Sequence, residues 1–362
     1  MLRRLSRIVP IGSLNIGGNC PVRVQSMTNT PTQNVAATVQ QIRQLCDAQC
    51  EIVRVTIPNS AAVDALKRIK TQLQSDKIDI PVVADIHFSP SIALACVPHA
   101  DKIRINPGNF VDNGHAFRNL IRSAKKEGKA IRIGANRGSL SKNILNRWGH
   151  TAEGMFQSAL PFLEIAKNEN FFNIILSFKS SSASQMVDDH RAILPKIDQL
   201  GFNFPIHLGV TEAGNDRYGR IKSAVGIGSL LLDGIGDTIR VSLTEDPTRE
   251  IAVAYDILQA CGRRFTHAEY VACPSCGRTQ FDIQRVFNEI KEKTAHLSGI
   301  KIAVMGCAVN GIGEMGDADF GYVGAGPGKV NLYRHGRCIH MNIPEQNATE
   351  TLLKLIENCQ KK

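Results

Sequence analysis

The chain is poor in the features that mark membrane proteins and nucleic-acid-binding proteins. No stretch of its 362 residues approaches the roughly 18 consecutive apolar residues that a membrane-spanning helix needs. Aromatic residues make up only 6% of the chain, with a single tryptophan, so few rings are present to stack on bases. No motif of an RNA-binding module is present either. We therefore expect neither a membrane nor a nucleic acid as a partner.

The first residues lack the marks of a targeting segment. MLRRLSR is basic and free of acidic residues, but the following VPIGSLNIGGNCPVRVQ has no continuous apolar core and no long serine- and arginine-rich run. A secretory signal needs a continuous apolar core, and a transit peptide needs a long serine- and arginine-rich run. The expected location is the cytoplasm.

Basic residues outnumber acidic ones, 43 to 33, which gives a formal net charge of +10. Such an excess favours an anionic partner, either nucleic acid or a phosphorylated small molecule, and charge alone does not distinguish the two. Ten cysteines in a chain of this length do not indicate a disulfide scaffold. Four of them lie in helix-like or apolar surroundings and should pack as small hydrophobic side chains: Cys46, Cys50, Cys96 and Cys359.

Strand-like and helix-like segments alternate along most of the chain. Eight short runs rich in Val and Ile are separated by helix-length segments with apolar residues at three- and four-residue spacings. The runs are VRVQSMT, IVRVTI, IPVVADIHF, KIRINPGN, AIRIGANRG, NIILSFKSS, PIHLGVTE and TIRVSL. Eight alternations within about 250 residues are typical of a (β/α)8 barrel of the TIM type, because an open doubly wound sheet usually has fewer strands. The predicted barrel covers residues 1–262.

The pattern changes after Gly262. Two strand-like runs, FTHAEYVAC and IKIAVMGC, flank a predicted helix at residues 281–295, and glycine-rich runs precede a closing helix near residues 349–358. The chain also exceeds the roughly 250 to 300 residues at which one core usually stops growing. We predict an α/β protein in which residues 263–362 form a separate small α/β domain.

Polar side chains gather at the carboxyl ends of the predicted barrel strands, where the active sites of such barrels lie. They are Arg54, Asp85, His87, Arg104, Asn106, Arg132, Asn136, Arg137, Lys179, His207, Glu212, Arg240 and Ser242. A single arginine at the end of a strand is usually a surface or ion-paired residue. Here five of the predicted strands each place an arginine or lysine at the same rim of the barrel. Guanidinium groups bind phosphate oxygens in pairs and offset their charge. The expected ligand is therefore small and multiply anionic, such as a phosphate or diphosphate.

Two glycine-rich stretches are weak motifs. GAGPGK, residues 324–329, has Val330 where a phosphate-binding loop needs Ser or Thr, and is predicted to be a turn. VGIGSLLLDGIGD, residues 225–237, contains no G-x-G-x-x-G and is predicted to shape tight loops before the eighth strand.

Cys273 and Cys276 form a C-x-x-C pair, and Cys307 and Glu314 follow in MGCAVNGIGE. Three thiolates and a carboxylate could close one metal site. A redox dithiol would leave Cys307 without a role, and the three closely spaced cysteines of a radical-SAM enzyme are absent. An iron-sulfur cluster suits the turn at Pro274 and the flanking glycines.

A zinc site is the alternative that the spacing leaves open. Zinc would need a fourth ligand, for which Cys338, His267 and His335 are candidates. No second C-x-x-C is present to complete a zinc ribbon.

Ten motifs, in order and over nearly the whole chain, resemble the bacterial 4-hydroxy-3-methylbut-2-en-1-yl diphosphate synthase family. They are VQSMTNT, VRVT, ADIHF, KIRINPGN, RIGANRGSL, LSFKSS, HLGVTEAG, GIGSLLLDGIGDTIRVSLT, CPSCGRTQFD and MGCAVNGIGE. The resemblance implies a (β/α)8 barrel followed by a small α/β iron-sulfur domain with a [4Fe-4S] cluster. It also implies reductive opening and dehydration of 2-C-methyl-D-erythritol 2,4-cyclodiphosphate in the methylerythritol phosphate route to isoprenoids. Flavodoxin or ferredoxin would supply two electrons.

The resemblance also implies roles for single residues. The cluster ligands would be Cys273, Cys276, Cys307 and Glu314, and the substrate contacts would be Arg54, Asp85, His87, Arg104, Arg132, Asn136, Lys179, Glu212, Arg240 and Ser242. Glu212 and Glu314 are the expected catalytic residues. A carboxylate is a poor match for cluster iron and can yield its place to a substrate oxygen. The family's head-to-tail homodimer, with each cluster domain over the partner's barrel, is expected here too.

The chain departs from the family at four positions. The family usually has Val and Pro where Ala308 and Ile312 stand, and acidic residues where Gln33 and Asn34 stand. The first pair could change the stiffness of the loop before Glu314, and the second leaves the contacts of the first barrel loop open.

Two alternative functions are a zinc-stabilised RNA-binding protein and a phosphate-binding barrel enzyme of pterin type.

Overall fold

A closed parallel barrel and a smaller mixed sheet make up the chain. The computed structural model describes residues 2–110 and 114–360, and the chain divides into two units, Met1–Arg264 and Phe265–Lys362. The strands of the first unit are β1 (Val9–Ile11), β2 (Leu14–Ile16), β3 (Arg23–Met27), β4 (Ile52–Thr56), β5 (Val82–Asp85), β6 (Lys102–Ile105), β7 (Ala130–Asn136), β8 (Ile174–Lys179), β9 (His207–Leu208) and β10 (Thr238–Ile239). Its helices are α1 (Val35–Asp47), α2 (Ser60–Ser75), α3 (Pro90–Cys96), α4 (His115–Lys126), α5 (Lys142–Trp148), α6 (Ala152–Asn168), α7 (Ala183–Gln199), α8 (Asp216–Leu232) and α9 (Thr248–Ala260).

All eight predicted barrel strands are present. They pair in parallel in the order β8-β7-β6-β5-β4-β3-β10-β9, and a parallel bridge between Leu176 and Ile206 joins the two ends of the sheet. A helix follows each strand, and the buried faces of strands and helices form one hydrophobic core. The predicted (β/α)8 barrel is confirmed.

Several helices begin at a polar residue that closes a loop from the barrel rim. The side chains of Asn34, Asn59, Ser89, Thr151 and Ser182 each accept a hydrogen bond from a backbone N–H in the first turn of a helix. Such caps satisfy amide groups that have no partner within the helix. They hold the rim loops in place.

The hairpin β1–β2 closes the amino-terminal end of the barrel. Val9, Ile11 and Ile16 are buried against the first inward-facing residues of the barrel strands, among them Ile52 and Ile175. The sequence analysis placed no strands before residue 20, because these two strands have only three residues each.

The prediction for residues 225–237 is wrong in part. Most of this segment continues α8, where Gly226 and Gly228 are buried, and only residues 233–237 form the loop before β10. A methyl group on Gly226 would lie 2.6 Å from a methyl carbon of Val210, so this glycine allows close helix packing rather than a turn.

The second unit is a five-stranded sheet with two of its three helices on one face and the third on the other. Its strands are β11 (Glu269–Ala272), β12 (Lys301–Met305), β13 (Phe320–Gly326), β14 (Lys329–Arg334) and β15 (Arg337–Pro344), and its helices are α10 (Ile283–Thr294), α11 (Ala308–Glu314) and α12 (Glu345–Gln360). The first three strands are parallel, and the last three form an antiparallel meander. Helices α10 and α12 pack on Ile302 and Val304, whereas Ala303 and Met305 line the other face. Residues 327–328 form the turn predicted for GAGPGK.

Candidate functional site

Charged side chains project into the barrel interior, near the carboxyl ends of the strands, from alternate strand positions. Because successive side chains of a strand point to opposite faces, Arg54, Asp85, Arg104 and Arg132 all face inward while their neighbours pack against the helices. Parallel strands bring their carboxyl ends to one rim. These four sequence-predicted rim residues therefore share one end of the barrel.

Asp85 is the centre of the most densely paired part of this rim. Its carboxylate is 3% exposed and accepts from Nη1 of Arg104 at 3.0 Å, with Nε of Arg54 at 3.8 Å and Nε2 of His87 at 3.4 Å. Burial acts to raise the pKa of Asp85, but the guanidinium groups of Arg54 and Arg104 hold it well below its usual value. The carboxylate thus stays ionised and orients the basic side chains around it.

Arg240 lies on the opposite side of the rim and is held by a helix residue. Its Nε and Nη2 atoms each lie 3.3 Å from the carboxylate of Glu250, near the start of α9. Glu250 also accepts from Ser26 Oγ at 2.8 Å and from the backbone N–H of Leu243 at 3.1 Å. This network ties β10 to β3 and leaves Nη1 of Arg240 with only a weak contact, 3.5 Å to the sulfur of Met27.

Arg132 and Lys179 are buried basic side chains without a carboxylate partner among the described residues. Arg132 is 1% exposed, and its Nε and Nη1 atoms have no hydrogen-bond partner. Burial, together with the neighbouring Arg54, lowers the pKa of Arg132, and burial with Arg132 lowers that of Lys179. Buried donors that lack partners carry a large energetic cost. An anion that accepts from them would relieve it.

Gly209 makes room for Lys179 at the rim. A methyl group on Gly209 would lie 2.9 Å from Nζ of Lys179 and 2.6 Å from the carbonyl oxygen of Arg240. Any larger residue would push the amine out of its position.

A cavity of about 490 Å³ opens beside these cations. Asn136, Glu212, Ser180, His150 and Thr211 are among its lining residues. The buried Oδ1 of Asn136 has no hydrogen-bond partner, and Glu212 adopts a left-handed backbone conformation with φ +54°. Strain of this kind in a residue other than glycine often accompanies a functional position. Ser242 follows β10 and is half-buried.

His207, which the sequence analysis placed at the rim, lies deeper. It is fully buried in β9, and its Nδ1 lies 2.7 Å from Oγ1 of Thr238. Burial and the charge of Arg132 lower its pKa well below the usual value, so the ring is neutral. His207 belongs to the barrel interior.

Three contributors to this region were missed in the sequence. Glu250 was overlooked because an acidic residue in an amphipathic helix usually faces water, and nothing local marks its contact with Arg240. Asp189 of α7, which pairs with the partly buried Arg137 at 2.9 Å, was overlooked for the same reason. Lys102 was detectable, since Lys102, Arg104 and Asn106 alternate along β6 and so share its inward face.

In the second unit, the cysteines follow two neighbouring parallel strands. Cys273 comes directly after β11, and Cys307 comes two residues after β12, so both lie at the same edge of the sheet. Cys273, Cys276, Cys307 and Glu314 line one cavity of about 170 Å³, together with Arg278. Glu314 is the last residue of α11 and is exposed.

Hydrogen bonds hold the thiol of Cys273 and the backbone of Cys276 in this cavity. The N–H of Gly306 donates to Sγ of Cys273 at 3.2 Å, and the N–H of Cys276 donates to Oγ1 of Thr279 at 3.0 Å. Ser275, between the two cysteines, has φ +69° and allows the tight turn. Three sulfur ligands and one carboxylate around a single cavity fit an iron-sulfur cluster in donor chemistry. Among the described residues, no group of three or more His, Cys, Asp or Glu side chains is arranged so that it could hold a single metal ion.

Four cysteines outside this cavity pack in the hydrophobic cores: Cys46, Cys50 and Cys96 in the first unit and Cys359 in the second. Cys50 and Cys96 are buried, and burial raises the pKa of each thiol to about 12. Neutral buried thiols pack as small hydrophobic groups, as the sequence analysis expected.

The four departures from the family have visible surroundings. Asn34 caps α1, accepting from the N–H of Ala37 at 3.2 Å, and Nε2 of Gln33 donates to Oδ1 of Asn59 at 3.1 Å. Ala308 and Ile312 are exposed on α11, so neither fills the cluster cavity. None of the four displaces a residue of either site.

The fold and the two sites define a (β/α)8-barrel protein with a cationic rim and an appended α/β unit that carries three cysteines in one cavity. The chain belongs to the GcpE family: the model of the GcpE TIM-barrel domain matches residues 6–255, and that of the GcpE protein C-terminal domain matches residues 269–358. Two proteins named 4-hydroxy-3-methylbut-2-en-1-yl diphosphate synthase (ferredoxin) are similar to it over most of their length. The one from Synechocystis sp. is 48% identical over 98% of this chain and 93% of its own, and the one from Gloeobacter violaceus is 49% identical over 99% and 95%.

Solved structures resemble the chain more distantly. Dihydropteroate synthase from Xanthomonas albilineans covers 70% of this chain and 99% of its own, with 13% identity and a TM-score of 0.47.

The family membership spans both units, and it supports neither the RNA-binding nor the pterin-type alternative. Within the described residues, no helix has the length and apolar character needed to cross a membrane.

Proposed function

We propose that the protein is a 4-hydroxy-3-methylbut-2-en-1-yl diphosphate synthase that takes its electrons from ferredoxin. Its substrate is 2-C-methyl-D-erythritol 2,4-cyclodiphosphate. The ring C–O bond to phosphate breaks with uptake of two electrons and leaves the phosphate oxygen ionised, and a hydroxyl takes up one proton and leaves as water. Two electrons and one proton are therefore consumed for each product molecule. The family membership and the printed names of relatives at 48% and 49% identity support this reaction and this electron donor.

The observation that carries the proposal is the set of inward-facing cations at the barrel rim. Arg54, Arg132, Lys179 and Arg240 project into one space, and Arg132 and Lys179 have no carboxylate partner among the described residues. A diphosphate would accept from these donors and offset their mutual repulsion. A neutral ligand could accept hydrogen bonds from them but would leave their mutual repulsion in place.

The other rim residues orient the substrate and handle protons. Asp85 fixes the guanidinium of Arg104 and lies against the ring of His87, which places three groups around one end of the ligand. Glu212 and Asn136 line the adjoining cavity. The carboxyl group of Glu212 is suited to hold a proton beside the carbon skeleton, because a carboxyl group both donates and accepts.

The residues of the second unit would hold a [4Fe-4S] cluster. Cys273, Cys276 and Cys307 are its proposed thiolate ligands, and Glu314 is the proposed oxygen ligand, all four lining one cavity. When bound, the cluster supplies the electrons of the reductive step. The N–H of Gly306, already directed at the sulfur of Cys273, would stabilise the negative charge of that ligand.

The protein is proposed to act as a homodimer because the join between its units is short. Arg263 donates to the carbonyl oxygen of Leu231 and Arg264 to that of Val22, and these contacts hold the end of α9 at the amino-terminal end of the barrel. Four residues remain before β11 and reach at most about 14 Å. The thirteen residues of α9 alone span about 20 Å. A cluster unit contributed by a second chain would meet the rim without this restriction.

The test combines a spectrum with two cysteine variants. Protein purified without air should be brown, contain iron and sulfide, and convert the cyclic diphosphate with reduced ferredoxin. Cys307→Ser should lose the iron and sulfide while its barrel keeps its helical circular dichroism. Cys338→Ser is the matched control, because Cys338 lies in the same unit outside the cluster cavity.

Colourless protein that contains zinc would overturn the cofactor assignment. Full iron and sulfide in Cys307→Ser would overturn the ligand assignment while leaving the reaction standing.

The cytoplasmic location expected from the sequence stays a prediction.

A further inference from the structure

Lys102 is a buried amine that the proposed reaction does not use. It lies on β6, one inward-facing position below Arg104 and away from the rim, and its side chain is fully buried. Its Nζ lies 3.2 Å from Oε1 of Gln25, on the far side of the barrel interior. Among the described residues it forms no ion pair, so a charge at this position would have only an amide oxygen for compensation.

The groups around Lys102 make a positive charge there costly. Those facing the interior are Gln25 of β3, Arg54 of β4, Asp85 of β5, Arg104 of β6, Arg132 of β7, Lys179 of β8, His207 of β9, Arg240 after β10 and Glu250 of α9. Six basic side chains, including Lys102, thus share the interior with two carboxylates. Both carboxylates are already paired, Asp85 with Arg104 and Glu250 with Arg240.

Among these groups, the two lysines rather than the arginines can adjust their charge. Lys179 lies at the rim beside Gly209, where a bound anion would contact its amine, whereas Lys102 lies below the rim and has only the amide oxygen of Gln25 as a partner. Guanidinium groups stay protonated at any ordinary pH, whereas a buried lysine readily releases its proton. Burial first, and then the charges of Arg132 and Arg54, lower the pKa of Lys102 well below its usual value.

We propose that Lys102 is neutral in the ligand-free protein and takes up a proton when a diphosphate binds at the rim. The incoming negative charge cancels the repulsion from the arginines, so that the amine can be charged. Ligand binding and protonation are therefore coupled, and each favours the other. Lys102 acts as a charge-compensating residue below the substrate and does not touch it. The proposal rests on the proposed function for the identity of the natural ligand.

Calorimetry of binding measures this coupling directly. The cyclic diphosphate is titrated into the full-length oxidised protein, without an electron donor, in buffers of different ionisation enthalpy near pH 8. At that pH an ordinary histidine, with a pKa of about 6.5, is neutral, and an ordinary lysine, at about 10.4, is charged. The wild-type protein should take up a proton on binding, at most one per site from Lys102, and its Kd should rise by up to about tenfold per pH unit between the ligand-free and the ligand-bound pKa of Lys102.

Variants assign the proton to Lys102. In Lys102→Met the uptake and the pH dependence of Kd should disappear, and Lys102→Gln, which keeps a polar contact for Gln25, replaces it if the methionine variant does not fold. Lys67→Met, at an exposed position of α2, should behave as the wild type. Lys179→Met, which removes the amine at the rim, should bind more weakly but still take up the proton.

Three results would overturn the proposal: no proton uptake in the wild type, unchanged uptake in the Lys102 variants, or uptake that disappears with Lys179 instead. Failure of the proposed function looks different. If the cyclic diphosphate does not bind, the same titrations use inorganic diphosphate. Because this probe exchanges protons itself, only the difference between the wild type and Lys102→Met is then interpreted.

Discussion

Asp85 shows, at the scale of single residues, how the barrel tolerates several buried charges. Arg104, Arg54 and His87 all lie around its carboxylate, and removal of the carboxylate would leave the two guanidinium groups without their ion-pair partner. Breaking a buried ion pair from one side typically costs about 3 to 5 kcal/mol, because the remaining charge stays buried. The rim is therefore a place where a single substitution affects stability as well as binding.

We expect Asp85→Asn to lower the free energy of unfolding by about 3 to 5 kcal/mol, measured by urea denaturation of the full-length protein. Asp76→Asn, which removes the exposed partner of Arg43, is the control and should change it little. A variant at position 85 as stable as the wild type would contradict the pairing.

The pH dependence of this stabilisation follows from the pKa of Asp85. Because the folded-state pKa is held below the unfolded value of about 3.9, the contribution is fully present above that pH. It is lost as the pH falls towards the folded-state pKa. In Asp85→Asn the free energy of unfolding should therefore fall less steeply as the pH is lowered than it does in the wild type. Urea denaturation of both proteins at a series of acidic pH values would measure this difference.

Arg240 and Arg54 are expected to contribute to binding and to turnover. Removing either guanidinium leaves part of the diphosphate charge without a partner, at a cost of about 2 to 5 kcal/mol for a buried contact. Arg240→Ala and Arg54→Ala should therefore raise KM and lower kcat in assays with reduced ferredoxin. Arg43→Ala, on the outer face of α1, serves as the control. Normal kinetics in both rim variants would place the substrate elsewhere.

At the scale of elements, two rim loops meet at a glycine. Gly108, in the loop after β6, lies against the backbone that follows β7, and a methyl group on it would lie 1.8 Å from the carbonyl oxygen of Ser139. Asn106 joins the same loops by donating to Oγ of Ser139 at 2.9 Å. The loop positions thus depend on the absence of a side chain.

Gly108→Ala should separate these loops. Overpacking of this kind typically costs about 1 to 3 kcal/mol, and we expect a lower melting temperature and a higher KM for the cyclic diphosphate. Gly138→Ala is the control for the melting temperature only, because a methyl group there would meet no protein atom within 4 Å but would project beside the cavity that Gly138 lines. Equal melting temperatures of the two variants would show that the contact at Gly108 is unimportant.

At the scale of the whole molecule, the proposed homodimer makes a prediction that no single-site variant tests. A barrel variant, Arg54→Ala, and a cluster variant, Cys307→Ser, should each be nearly inactive alone. After subunit exchange, a mixed dimer combines the intact barrel of one chain with the intact cluster unit of the other, so one complete site should form.

Activity should recover as mixed dimers form, and native mass spectrometry would measure the exchange. Mixing each variant with itself is the control. Demonstrated exchange without recovered activity would favour a site built within one chain.

The amino-acid sequence by itself determined the order of strands and helices and the residue types at the strand ends. Alternating Val and Ile mark the strands locally, and parallel strands must bring their carboxyl ends together, so the shared rim of Arg54, Asp85 and Arg132 and the shared edge of Cys273 and Cys307 were predictable. The short hairpin β1–β2 escaped because three-residue strands carry too little pattern.

Only the tertiary structure decided which charges are paired and which are isolated. Glu250 reaches Arg240 from a helix, and Asp189 reaches Arg137, because packing of α9 and α7 on the barrel brings distant positions together. The depth of Lys102 below the rim is likewise a result of barrel closure. Local sequence determines which face of a strand a residue occupies. Its burial and its partners depend on the elements that pack against that face, and those come from far along the chain.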